Sequence, residues 1–223
     1  MRLFAATLRF AIGAALLGSV TWQVSDRLAH NVFRPHEYFT YFTIDTSIAT
    51  GLLMLIAGWY ALRTRQPNHE PRWLSLARLG LVTSSVIVAV VYNLLLRNLP
   101  PLAADAGYEW PTVPNDVLHV WAPILLVVEW LVFAPHKPLN WKSAFATWAY
   151  PFAWLVFTLT RGSIDGWWPY FFINPNDQGG VAGMVEYIFG IMAFLFVVAS
   201  AVLPAQRVAQ ARLTRGSSVE AGD

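Results

Sequence analysis

Residues 38–50, YFTYFTIDTSIAT, run without a turn signal into residues 51–62, GLLMLIAGWYAL. The combined stretch holds one acid, Asp45, and no basic residue. It exceeds the roughly 20 apolar residues that cross about 30 Å of hydrocarbon. Lipid offers no partner to free backbone groups, so the segment is expected to be a helix. On a helix, Thr40, Thr43, Ser47 and Thr50 share one face, and Asp45 points almost the opposite way. A hydroxyl stripe of this kind serves tight helix packing in membranes. It can also carry chemistry, and the residues alone leave both readings open.

Working outward, five further apolar stretches are expected to span, at 3–24, 74–96, 115–134, 143–160 and 181–204. The chain has 223 residues, 56% hydrophobic and 13% charged. The expected fold is therefore all-α: a polytopic membrane protein with six transmembrane helices in one bundle over 1–204 and a flexible cytoplasmic tail at 205–223. The fifth span is the weakest, being short and interrupted by Pro151. The first is longer than a signal-peptide apolar region and no small-residue cleavage site follows it, so it is read as an anchor.

Basic residues divide unevenly about these spans. Arg2, Arg9, Arg63, Arg65, Arg72, Arg78, Lys137, Lys142, Arg207, Arg212 and Arg215 fall on one side, and Arg27, Arg34, Arg97 and Arg161 on the other. The positive-inside rule puts both termini in the cytoplasm. The net charge of +2 then reflects topology and gives no case for a nucleic-acid partner. The chain contains no cysteine, which excludes disulfides and thiolate chemistry. There is no H-E-x-x-H pattern, phosphate loop or internal repeat, and neither a metal nor a cofactor is expected.

Two outer connections stand out. Prolines forbid a continuous helix over 97–116, RNLPPLAADAGYEWPTVPND. The other, 160–180, contains Trp167, Trp168, Tyr170, Phe171 and Phe172, which with Trp110 read most simply as an aromatic belt at the headgroup level. They can alternatively roof a cavity.

Polar residues inside spans are functional candidates. At about 1.5 Å per residue, Thr43 lies roughly 8 Å inside the outer boundary and His119 about 6 Å. The two can therefore share a layer with Asn93, Arg161 and Glu186. His119 offers an imidazole able to take a proton near neutral pH, and Asp116, three residues earlier, can orient it. Asn115 or Asp116 can equally be a helix N-cap, and His119 a hydrogen-bonded packing residue. Asp45 is expected to pair with a neighbouring helix, for instance with Arg161. Glu129, about 21 Å from the outer end, is expected to pair with Arg9 in a structural role.

The stretches YFTIDTS (41–47), LHVWAPILLVVEWLVF (118–133) and WWPYFFINPNDQGG (167–180), together with the order of spans, resemble the androgen-induced and androgen-dependent six-span proteins and their bacterial relatives. The resemblance implies hydrolysis of fatty acid esters of hydroxy fatty acids by an intramembrane threonine and histidine. Through these motifs the nucleophile falls on Thr43 and the histidine on His119, with Asp45, Ser47, Asn93, Asp116, Arg161 and Glu186 as supporting or substrate-binding residues. Thr40 and Thr46 leave the threonine register open. Asn93 and the backbone at the start of the fourth span are the oxyanion-stabilising candidates. The implied partners are membrane lipids or a lipid ester, and the implied location a bacterial inner membrane. Two other readings remain: a proton-coupled transporter using Asp45, His119, Arg161 and Glu186 as a relay, and a non-enzymatic lipid-binding protein.

Overall fold

The computed structural model describes residues 1–64, 69–100, 105–135, 137, 139–177 and 179–220, with side chains to residue 204. Arg65 and the last three residues lie outside these. No strand occurs among the described residues. The helices are α1 (Arg2–Ala29), α2 (Pro35–Tyr38), α3 (Phe42–Arg63), α4 (Arg72–Val91), α5 (Thr112–Asp116), α6 (Ala122–Val132), α7 (Ser143–Ala146), α8 (Ala149–Asp165) and α9 (Gly180–Glu220). Two π turns extend them: Tyr92–Leu96 continues α4, and Val117–Trp121 joins α5 to α6.

Five of the described helices are long and apolar enough to cross a membrane: Arg2–Ala29, Phe42–Arg63, Arg72–Leu96, Thr112–Val132 and Gly180–Pro204. The chain is an all-α polytopic membrane protein. The fifth expected stretch differs from the other five. It divides into α7 and the 17-residue α8, about 26 Å long. Pro151 does not interrupt α8 but lies in its first turn, where a missing N–H costs no hydrogen bond. The chain beyond Pro204 continues as helix to Glu220.

Apolar side chains from α1, α3, α4 and α6 meet in one core, with Ile12, Met54, Leu79, Leu126 and Trp130 almost wholly enclosed. The close approach of α1 and α3 depends on two glycines. A Cβ on Gly13 would lie 2.9 Å from the Gly51 carbonyl oxygen, and one on Gly51 would lie 2.8 Å from Leu17. Part of the hydroxyl face of α3 turns into this core, where Ser47 and Thr50 are buried.

The inner half is clamped by charge. Arg9 Nε donates to Glu129 Oε1 at 2.6 Å, as expected from the sequence. Arg78 bonds both Glu129 oxygens at 2.6 and 2.7 Å and both Glu70 oxygens at 2.7 Å. All four side chains are essentially excluded from solvent. Two cations meet two anions, so the cluster is neutral as a whole, and it ties α1, α4 and α6 to the connection before α4.

Candidate functional site

The outer half is hollow. A cavity of about 900 Å³ opens between the outer ends of α1, α3, α4 and α6. Thr43, Tyr92, Asn115, His119 and Tyr170 stand on its wall. Thr43 and His119, placed at similar depth by their positions along separate spans, do converge on one space.

The His119 ring is held by two contacts, an edge bond and a stacked ring. Its Nδ1 lies 2.8 Å from the Asn115 carbonyl oxygen. A carbonyl only accepts, so Nδ1 carries the hydrogen and Nε2 is left with a lone pair. Tyr92 stacks on the imidazole with centroids 3.7 Å apart and planes 23° from parallel. The Tyr92 hydroxyl accepts a bond from the Asn115 side chain at 2.6 Å. Asn93 donates to the His119 carbonyl oxygen at 3.2 Å and accepts from Arg97 at 2.8 Å.

The two π turns produce this arrangement. Each shifts a backbone hydrogen bond to the fifth preceding residue, from Arg97 N–H to Tyr92 and from Ala122 N–H to Val117. At both turns a polar side chain then bonds the carbonyl four residues earlier, Asn93 to Ala89 and His119 to Asn115. The wide turns thus bring Tyr92 and His119 face to face across α4 and α6. Single π turns inside helices gather at functional sites.

Thr43 sits in the first turn of α3, whose leading N–H groups have no intrahelical acceptor. The Tyr170 hydroxyl faces the Thr43 side chain and the backbone N–H groups of Phe42 and Thr43. Burial raises the Tyr170 phenol to about 12, and those three contacts oppose the rise. Tyr170 therefore keeps its hydrogen at neutral pH while amides act on its oxygen.

The three candidate threonines differ in their surroundings. Thr40 precedes α3, donates to the His36 carbonyl at 2.7 Å and accepts from Arg161. Thr46 shares a 3.1 Å bond with the Tyr150 hydroxyl. Of the three, Thr43 lines the cavity.

Several expected placements are corrected. Asp45 bonds Tyr150 at 3.1 Å and not Arg161, because α8 presents a tyrosine at that level. Arg161, more than two turns further along α8, bonds Asp165 at 2.8 Å, the Thr40 hydroxyl and the His36 carbonyl. Asp116 does not orient His119. It lies 3.5 Å from Arg97, and the Asn115 carbonyl holds the ring instead. Asn93 has both its amide group and its oxygen committed, which removes it as an oxyanion donor and makes it a brace. Ser47 is buried one turn below Thr43. Glu186 lies on the exposed side of α9, away from the cavity. The four residues of the supposed relay are thus dispersed.

The outer aromatics fold inward. Tyr41 meets Trp167 and Tyr170 edge-on at 5.7 and 5.8 Å, and Tyr170 stacks on Phe172 at 5.1 Å. Trp168 fills the space beside Gly162, where a Cβ would come within 2.5 Å of its ring. Among these outer aromatics, Tyr41, Tyr170 and Phe171 line the cavity. On the opposite side the 105–110 segment is held down by Asp105, which accepts from Arg27 at 2.8 Å and from Arg34. Arg27 also lies over Tyr108 and Trp110, 5.0 and 4.6 Å from their ring centres. Burial and a 2.7 Å bond to Asp26 push the Tyr108 phenol up.

Tyr92 was missed by sequence reasoning, and Tyr170 was read only as one of the outer aromatics that form a belt or roof a cavity. A tyrosine in an apolar span and one in an aromatic loop carry no local sign of convergence, although the π turns move Tyr92 onto the site. No group of three or more potential metal ligands occurs among the described residues. Comparison with protein-family models, with curated proteins and with solved structures finds no match to this chain.

Proposed function

We propose that the chain is an intramembrane ester hydrolase acting on lipid esters, of the fatty acid ester of hydroxy fatty acid type, with Thr43 as nucleophile and His119 as base. One observation carries the reading. Thr43 and His119 line one cavity, and His119 is held as the tautomer whose Nε2 accepts a proton. A threonine hydroxyl is a weak nucleophile that needs such a base.

In the proposed cycle Thr43 Oγ1 attacks the ester carbonyl carbon and its proton passes to His119 Nε2. The tetrahedral oxyanion meets the Tyr170 O–H, a donor strengthened by the amides that face its oxygen. The carbon–oxygen bond to the alcohol breaks and His119 returns the proton to the leaving oxygen. Water from the cavity then repeats the sequence on the acyl-threonine, releasing the acid and restoring both residues. The cavity supplies that water near the headgroup level. The charge distribution supports an orientation in a bacterial inner membrane with both termini cytoplasmic, which puts the site in the outer leaflet.

An ester-hydrolase assay and labelling with an activated acylating probe test the reading together. Thr43→Ala and His119→Ala are each expected to remove nearly all turnover. The double variant is expected to be little worse, since members of one catalytic unit are strongly non-additive. Thr43→Ser is expected to keep part of the activity. Wild-type turnover in a folded Thr43→Ala protein would overturn the assignment.

A further inference from the structure

Thr43 borders a second space. An apolar slot of about 70 Å³ lies between α3, the outer part of α4, α8 and α9, and its walls include Val88, Val91, Leu155, Ile191 and Met192. Thr43, Tyr92, Leu96 and Tyr170 line both this slot and the larger cavity. The two spaces therefore meet at the hydroxyl of interest, one almost wholly apolar and one of mixed lining.

The slot lies under the most loosely held helix. α8 reaches α3 through the Tyr150 to Asp45 bond and the segment before α3 through the Trp154 to Thr40 bond of 2.9 Å and through Arg161. Between the Trp154 and Arg161 ties, Leu155 on α8 lines the slot together with Ile188, Ile191 and Met192 on α9, and all four are only half-buried. In a bilayer, hydrocarbon tails border such a seam. At about 10–15 Å³ per water-sized unit, the slot itself holds about five to seven units. A longer chain entering it would continue outward into lipid.

Resting on the hydrolase reading of Thr43, we propose that the seam between α8 and α9 is a lateral port. One acyl chain of a membrane-resident ester enters through it and brings the carbonyl to Thr43. The polar part of the same molecule occupies the larger cavity that His119 lines. The substrate class is then an amphiphilic ester with one hydrocarbon arm on the lipid side and a hydrated arm on the other, and its hydrocarbon arm has no sharp upper length.

Full-length protein in phosphatidylcholine vesicles provides the test. A long-chain and a short-chain 4-nitrophenyl ester are compared in wild type, in the plugged variant Leu155→Trp/Ile191→Trp, and in the milder Leu155→Phe/Ile191→Phe. Plugging is expected to lower the ratio of long-chain to short-chain kcat/KM at least tenfold, with the phenylalanine pair intermediate. An unchanged ratio would overturn the port. A second readout needs no turnover: a fatty acyl photoprobe carrying a diazirine on its chain is expected to label wild-type peptides containing Leu155 and Ile191 in preference to other lipid-facing segments. Even labelling along all helices would overturn the port as well. Selective labelling together with wild-type hydrolysis in Thr43→Ala would keep the port and discard the hydrolase.

Discussion

At the scale of the residue, a constrained imidazole and a threonine hydroxyl line the same cavity. Tyr92 is the residue on which that constraint turns, since its ring covers His119 and its hydroxyl engages Asn115, whose carbonyl sets the tautomer. Tyr92→Phe keeps the stack and loses the hydroxyl bond, and is expected to lower kcat less than tenfold. Tyr92→Ala frees the ring, and misplacement of a catalytic group on this scale costs about 10²-fold. Steady-state kinetics with a pH profile distinguish positioning from simple destabilisation: Tyr92→Ala is expected to shift the midpoint of the profile as well as its height. That Thr43 and His119 share a layer was legible because depth along a helix can be read from residue number, while the choice of Thr43 and the two roles were implied only by the family resemblance. The partners of His119 were not, because a side chain's azimuth depends on helical regularity, which the π turns break.

At the scale of the element, apolar length was enough to place five helices, while α8 shows where that signal weakens. Its polar contacts are with α3 and the preceding loop at the outer end, so the chain before it need not form one straight span. The α1 and α3 pair depends on absent side chains. Replacing Gly51 by leucine places atoms where Leu17 and the Gly13 backbone already lie, and overpacking of this kind costs about 1–3 kcal/mol. Thermal unfolding in detergent is expected to show a lower Tm for Gly51→Leu. Gly80→Leu serves as the control, because nothing lies within 4 Å of a Cβ there.

At the scale of the whole molecule, a charge-clamped inner half supports a hollow outer half. The sequence indicated Arg9 and Glu129 by their matching depth. Arg78 was counted only among the basic residues of one side and Glu70 was not singled out, because only the fold shows the connection before α4 turning into the bundle. Glu129→Gln leaves two buried guanidinium groups short of an anion, and breaking a buried pair costs about 3–5 kcal/mol. A thermal shift larger than that of Gly51→Leu is the expected result. On the proposed orientation, burial of Arg9 and Arg78 in this neutral cluster leaves the other basic residues of that side to set it. A C-terminal reporter active only in the cytoplasm is therefore expected to be active, and an inactive but stably inserted fusion would reverse the orientation and move the site to the inner leaflet.

The facing π turns have a consequence for insertions and deletions. A π turn is an α-helix carrying one extra residue, so deleting a single residue within Val117–Trp121 would restore regular winding. It would close the wide turn with the flanking helices close to their present alignment, and the residues of the turn would lose the orientation that the extra residue gives them. Such a deletion is expected to leave the helix intact while removing His119 from beneath Tyr92. The site is thus separated from an inert bundle by a change of one codon in length, a step that leaves span number and hydropathy almost untouched.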